Sequence, residues 1–159
     1  MAIRRAKMKE QVIAKLTQEA PQGEVFLTCV HTETGPSPWL NLIFDELPLV
    51  GLIVGLSRKF YFLTLTNTSV VVYSASRWTA RPGSILAVYP REAFPVSKVK
   101  RAKVWSSFYV DLNPGGKPTR MNIHGFWRNE LDQLIATFPA TAMAEIPAQA
   151  TGSKAGQPV

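Results

Sequence analysis

Apolar and polar residues follow one another along this chain in a pattern that predicts a helix, a run of strands and a second helix. Over residues 7–20, Met8, Val12, Ile13 and Leu16 recur at the spacing of one helix face, and Pro21 with Gly23 ends the run. Residues 24–31 (EVFLTCVH) are rich in β-formers and predict a strand. Residues 60–73 hold two apolar runs hinged at Asn67-Thr68-Ser69, the pattern of a β-hairpin. Arg81-Pro82-Gly83 predicts a turn, residues 84–89 (SILAVY) a strand, and residues 96–104 a short, lysine-rich edge strand. Residues 107–112 alternate, with Phe108, Val110 and Leu112 on one face. After the Asn113-Pro114-Gly115-Gly116 turn, residues 119–124 return with Met121 and Ile123 inward and Arg120, Asn122 and His124 outward. In residues 126–138, Trp127, Leu131, Leu134, Ile135 and Phe138 form one apolar stripe that Pro139 stops. The expected core takes Phe26, Leu63, Val71, Leu86 and the inward residues of the last two strands, covered by that stripe. Residues 139–159 are small, polar and punctuated by proline and glycine, and read as a disordered tail.

One segment fits none of these patterns. Of the eighteen residues 39–56, twelve are apolar, and only Asn41, Asp45 and Glu46 are strongly polar. Two adjacent carboxylates and Pro48 near its middle argue against a plain membrane span. The segment is expected to pack on its own domain, to be covered by a partner or sister subunit, or to dip into a membrane interface.

Composition narrows the picture. With 159 residues, 46% of them apolar, the chain is long enough for one domain with its own core. A single cysteine, Cys29, excludes an internal disulfide and a cysteine-based zinc cluster, and suits a reducing compartment. Charges interrupt the apolar residues of the N-terminus, so no secretory signal is expected. The net charge of +7 is concentrated in residues 1–15 and 77–128, which suggests an anionic partner: acidic lipid, nucleic acid or an acidic protein surface.

The order of six or seven antiparallel strands followed by one helix resembles a pleckstrin-homology-like (PH-like) domain, and its details resemble the bacterial members. They are the helix running into Gly23-Glu24-Val25-Phe26-Leu27, the hairpin Phe62-Leu63-Thr64-Leu65-Thr66-Asn67, Gly83-Ser84-Ile85-Leu86, the late Gly-Gly turn and the closing helix with its tryptophan. The resemblance covers residues 7–138 and implies a mainly β (α+β) fold: a split antiparallel barrel capped by a C-terminal helix. It places a basic N-terminal helix at 1–23, the PH-like domain at 24–138 and the tail at 139–159. The apolar insert, 36–57, stands where such domains have a short loop. The resemblance implies a domain that binds phospholipid headgroups or peptides and is not an enzyme.

The residues themselves offer little for catalysis. His31 and His124 lie on different elements in no metal-ligand spacing, Asp45 and Glu46 are adjacent and point apart, and no glycine-rich phosphate loop opens a helix. No cofactor or metal is expected. The leading expectation is a cytoplasmic, non-catalytic adaptor that engages a protein partner or a second copy of itself through Trp39, Leu42, Ile43, Phe44, Leu49, Val50 and Ile53. An alternative is peripheral binding to anionic phospholipid at the inner face of the membrane, with Arg58 and Lys59 meeting phosphates. A further alternative is nucleic-acid binding through Lys98, Lys100, Arg101 and Lys103, where strand alternation puts the first two on one face and the last two on the other.

Overall fold

The computed structural model describes residues 2–20, 22–38 and 55–139. Helix α1 (Ala2–Glu19) leads into seven strands: β1 (Phe26–Thr34), β2 (Phe60–Thr66), β3 (Ser69–Ala75), β4 (Pro82–Pro90), β5 (Val96–Lys100), β6 (Trp105–Val110) and β7 (Thr119–His124). A 3₁₀ turn (Gly125–Trp127) then opens helix α2 (Arg128–Ile135). The strands form one antiparallel sheet in the order β4-β3-β2-β1-β7-β6-β5. The protein is thus mainly β, with a helix at each end.

Cross-strand register gives each face of the sheet its own set of side chains. Val30, Leu63 and Val72 stand opposite one another on neighbouring strands, all fully buried. Across β6 and β7 the same inner side holds Phe108 and Met121. Phe138, just beyond α2, closes on Phe94 and Phe108 with ring centroids 5.7 and 5.5 Å apart. The other side of β1–β3 carries the row His31, Phe62, Tyr73, and α1 packs across this half of the sheet with Val12 and Leu16 buried. The two helices meet where Lys9 Nζ reaches Glu130 Oε1 at 2.6 Å.

The β2–β3 hairpin turns where the sequence indicates. Asn67 there accepts a hydrogen bond from the Val25 amide (2.8 Å) and donates to the Gly23 carbonyl (3.0 Å), tying the turn to the start of β1. Its polar side chain supplies partners for backbone groups of the segment that precedes β1.

The join between β1 and β7 is short. Only Glu33↔Asn122 and Thr34↔Met121 are paired, and the strands then part. The divergence opens the sheet on the side where α1 and the α2 junction lie.

Five expectations need correction. The turn expected at Arg81-Pro82-Gly83 falls earlier, at residues 77–79, and Pro82 and Gly83 open β4. Helix α1 starts at Ala2, five residues earlier than the apolar spacing indicates, because the basic first turns carry no core residue to signal them. Leu86 is exposed: a register shift pairs Val72 with Ala87 and Tyr73 with Ile85, so Leu86 falls between partners and Ile85 and Ala87 turn to the core. Strand β5 ends at Lys100, with Lys98 in the left-handed region (φ 51°) at an irregular register. Arg101 and Lys103 therefore lie beyond the strand, and the expected two-faced alternation of Lys98, Lys100, Arg101 and Lys103 does not hold. The last helix spans Arg128–Ile135, shorter than the predicted 126–138, and its stripe is completed by Trp127 in the 3₁₀ turn and Phe138 past the end.

Candidate ligand-binding cleft and the stem of the insert

Where β1 and β7 part, a cavity of about 690 Å³ opens between the first turns of α1, the end of β1, the start of β2, the β3–β4 loop and the β7–α2 junction. Its described lining includes Arg4, Arg5, Arg77 and Arg128, the histidines His31 and His124, and Phe60, Phe126 and Trp127; none of the described lining residues is acidic.

Each element places its residue for a local reason. If the β1–β7 ladder continued, Thr32 would face Ile123 and His31 would face His124 one step further on; with the strands apart, both histidines line the opening. His31 stacks on Phe60 (centroids 5.7 Å, 21°) and meets Phe62 edge-on. Burial, with a smaller contribution from the nearby Arg4 charge, pulls its imidazole down to about 4, so it is neutral at pH 7. Its Nε2 is buried with no hydrogen-bond partner among the described residues. His124 caps the 3₁₀ turn: its Nδ1 accepts from the Phe126 amide at 3.2 Å, which leaves Nε2 as the donor. Gly125 is required by the same junction, since a Cβ there would stand 2.9 Å from the Lys103 carbonyl oxygen.

The arginines divide into committed and uncommitted ones. Arg5 donates to the Phe126 carbonyl and lies 3.7 Å from Glu130. Burial pushes the Glu130 carboxyl up, but the Lys9 hydrogen bond, a backbone hydrogen bond and the charges of Lys9 and Arg5 outweigh it and hold it below its ordinary value. Arg77, in the β3–β4 loop, donates to the Leu56 and Arg58 carbonyls (2.7 and 2.8 Å), with its guanidinium carbon 6.0 Å from the Phe60 ring centre. No carboxylate pairs with Arg77 among the described residues. Arg4 and Arg128 are exposed, and neither has a hydrogen bond or ion pair among the described residues.

Arg77 also belongs to a second feature, the stem from which residues 39–54 leave the sheet. Its two sides are fastened to each other. Thr34 N donates to Lys59 O (2.8 Å), Lys59 N to Thr34 Oγ1 (3.0 Å), and Arg58 Nη1 meets Glu33 Oε1 at 3.1 Å. Buried Asn122 donates to the Gly35 and Pro36 carbonyls at 3.3 and 3.4 Å. Beside this stem, Leu56 is 61% exposed and Trp78, next to Arg77, is 87% exposed.

The residues expected from sequence fall in different places. Trp39, Leu42, Ile43, Phe44, Leu49, Val50 and Ile53 lie outside the described residues, as does the tail from 140 onward. Arg58 is engaged by Glu33, and Lys59 is exposed on the stem. Lys98, Lys100 and Lys103 are exposed, whereas Arg101 pairs with Asp132 at 2.6 Å. None of these six basic residues lines the cleft. Sequence reading did not find the cleft, because its lining comes from five separate segments. The one available signal was the basic excess of residues 1–15 and 77–128, which holds Arg4, Arg5, Arg77 and Arg128. Cys29 is buried, and burial, with Glu130 adding to it and Lys9 opposing, pushes its thiol up to about 12. Among the described residues no group of three or more His, Cys, Asp or Glu is placed to hold a metal, and no helix is long and apolar enough to cross a membrane.

No protein-family model, curated protein or solved structure matches this chain.

Proposed function

We propose that this chain is a non-catalytic binding domain of PH-like type that associates with a second copy of itself through the apolar insert and the exposed rim around its stem. The PH-like reading is supported by the meander order of the seven strands, the weak β1–β7 join and the helix that follows β7. The observation that carries the functional reading is the stem. A densely hydrogen-bonded base presents Leu56 and Trp78 to solvent beside the ends of a segment in which Leu42, Ile43, Phe44, Leu49, Val50 and Ile53 are all apolar. Apolar surface grouped this way gains free energy when another surface covers it. A rigid stem lowers the ordering cost of that association.

Sedimentation velocity tests this reading on the full chain and on a variant with residues 39–54 replaced by a glycine-serine linker. The wild type is expected to self-associate with concentration and the variant to remain monomeric. A wild type that stays monomeric at every concentration overturns it.

Peripheral binding to acidic membrane is the second reading, favoured by exposed Trp78 beside Arg77 and Arg81, since tryptophan and arginine suit the headgroup region. It is weakened at Arg58, whose charge is met by Glu33 inside the protein. Binding through the β5 region to nucleic acid has less support, because Arg101 is paired with Asp132 and the basic residues do not share one strand face.

A further inference from the structure

We infer that the cleft between β1, β7 and the two helices is a binding site for an amphiphilic organic anion: a small molecule with a phosphate or carboxylate head on an aromatic or aliphatic body. The site is separate from the insert, and the inference stands whether or not the chain self-associates.

The charge pattern calls for an anion. Arg4, Arg5, Arg77 and Arg128 face one cavity, and no described lining residue is acidic. Glu130 stands behind the lining, where it answers Lys9 and Arg5. Arg77 is held by carbonyl oxygens and Phe60, which fix its position without neutralising its charge. Arg4 and Arg128 are left with unspent donors. Guanidinium groups gathered without counter-charge repel one another, and an anion taking bidentate hydrogen bonds relieves that repulsion.

The shape calls for more than an inorganic ion. A cavity of about 690 Å³ lies in the range of roughly 300–1,000 Å³ that holds small organic ligands. Half-exposed Phe126, together with Met8 and Ala80, offers apolar surface for the body of such a ligand. The His31 ring, stacked on Phe60 at the cavity wall, adds flat surface beside it.

Isothermal titration of the full chain with 1-naphthyl phosphate, inorganic phosphate and 1-naphthol tests this assignment. Naphthyl phosphate is expected to bind at least about tenfold more tightly than either fragment, because only it offers both the charge and the apolar body. The double variant Arg4→Gln/Arg128→Gln is expected to weaken it about tenfold or more, while Lys98→Gln/Lys100→Gln leaves it unchanged. Both pairs are exposed, and matching thermal melts confirm that the comparison is between folded proteins. Asp45→Asn/Glu46→Gln is expected to leave affinity unchanged; a tenfold gain would mean that the chain's own carboxylates fill the cleft, and would overturn the assignment. So would three other results: no naphthyl phosphate binding at about 1 mM, binding no tighter than to 1-naphthol, or binding indifferent to Arg4 and Arg128. Phosphatidylglycerol vesicles separate the sources of phosphate. Binding to vesicles without binding to dissolved naphthyl phosphate would assign the arginines to a lipid surface and likewise overturn the small-molecule site.

Discussion

His31 shows how one residue can be packed into the fold while it also lines the cleft. It is held neutral against Phe60 and Phe62, well below its ordinary value of 6.5. A histidine depressed in the folded state takes up its proton more readily when unfolded, so its contribution to stability is complete above about pH 6.5 and is lost as the pH falls toward 4. The loss is roughly 3 kcal/mol over that window. Urea unfolding of wild type and His31→Phe between pH 7 and 5 is expected to show a falling stability for the former and a flatter profile for the latter. Parallel profiles would mean that His31 is not buried as described. Among the carboxylates, burial raises Glu33 against the opposing charge of Arg58, but Glu33 is present in both proteins and its effect is common to the two profiles. Glu24 and Glu130 are both held below 4.5, so their contributions fade only at lower pH. Glu130 offers a second check. Glu130→Gln removes the charge that meets Lys9 and Arg5 at the α1–α2 contact and is expected to cost about 1–3 kcal/mol in chemical denaturation. A change within experimental error would mean that the two helices do not depend on that carboxylate.

At the level of elements, the strands were legible because their signal is local. Phe60–Thr66 and Ser69–Ala75 are continuous β-forming runs separated by a polar turn, and the structure places them as read. The alternation Phe108, Val110 against Tyr109 and that of Met121, Ile123 against Arg120 also held, since a buried face allows only one phase. What failed were positions decided by neighbours. Leu86 turned outward because of a register shift with β3, and β5 stopped early at the irregularity around Lys98. Asn122 shows the same limit: it points outward from β7 yet is buried, because the stem of the insert lies against it. The closing helix combines both kinds of information. Its stripe was visible in sequence, and Leu134 is fully buried. Leu134→Ala is therefore expected to cost about 2–5 kcal/mol in equilibrium unfolding; a loss below about 0.5 kcal/mol would remove α2 from the core. The junction before it has no slack. Gly125→Ala would set a methyl group against the Lys103 and Val104 carbonyls and is expected to cost about 1–3 kcal/mol, read as a lowered melting temperature.

On the scale of the whole molecule, the cleft and the stem share Arg77. Its guanidinium lines the cavity while fastening the Leu56 and Arg58 carbonyls at the base of the insert. The sequence could not display this meeting, because Arg4, His31, Arg77 and Arg128 become neighbours only when β1 and β7 part and both helices fold over the opening. The functional account rests on the face beside that stem being covered in the associated protein. Amide hydrogen exchange at low and high protein concentration reads this face directly, without any substitution. Protection is expected to rise with concentration at residues 55–58 and 76–81, and to stay constant in β6 and β7. Exchange at residues 55–58 and 76–81 that does not change with concentration would contradict the account.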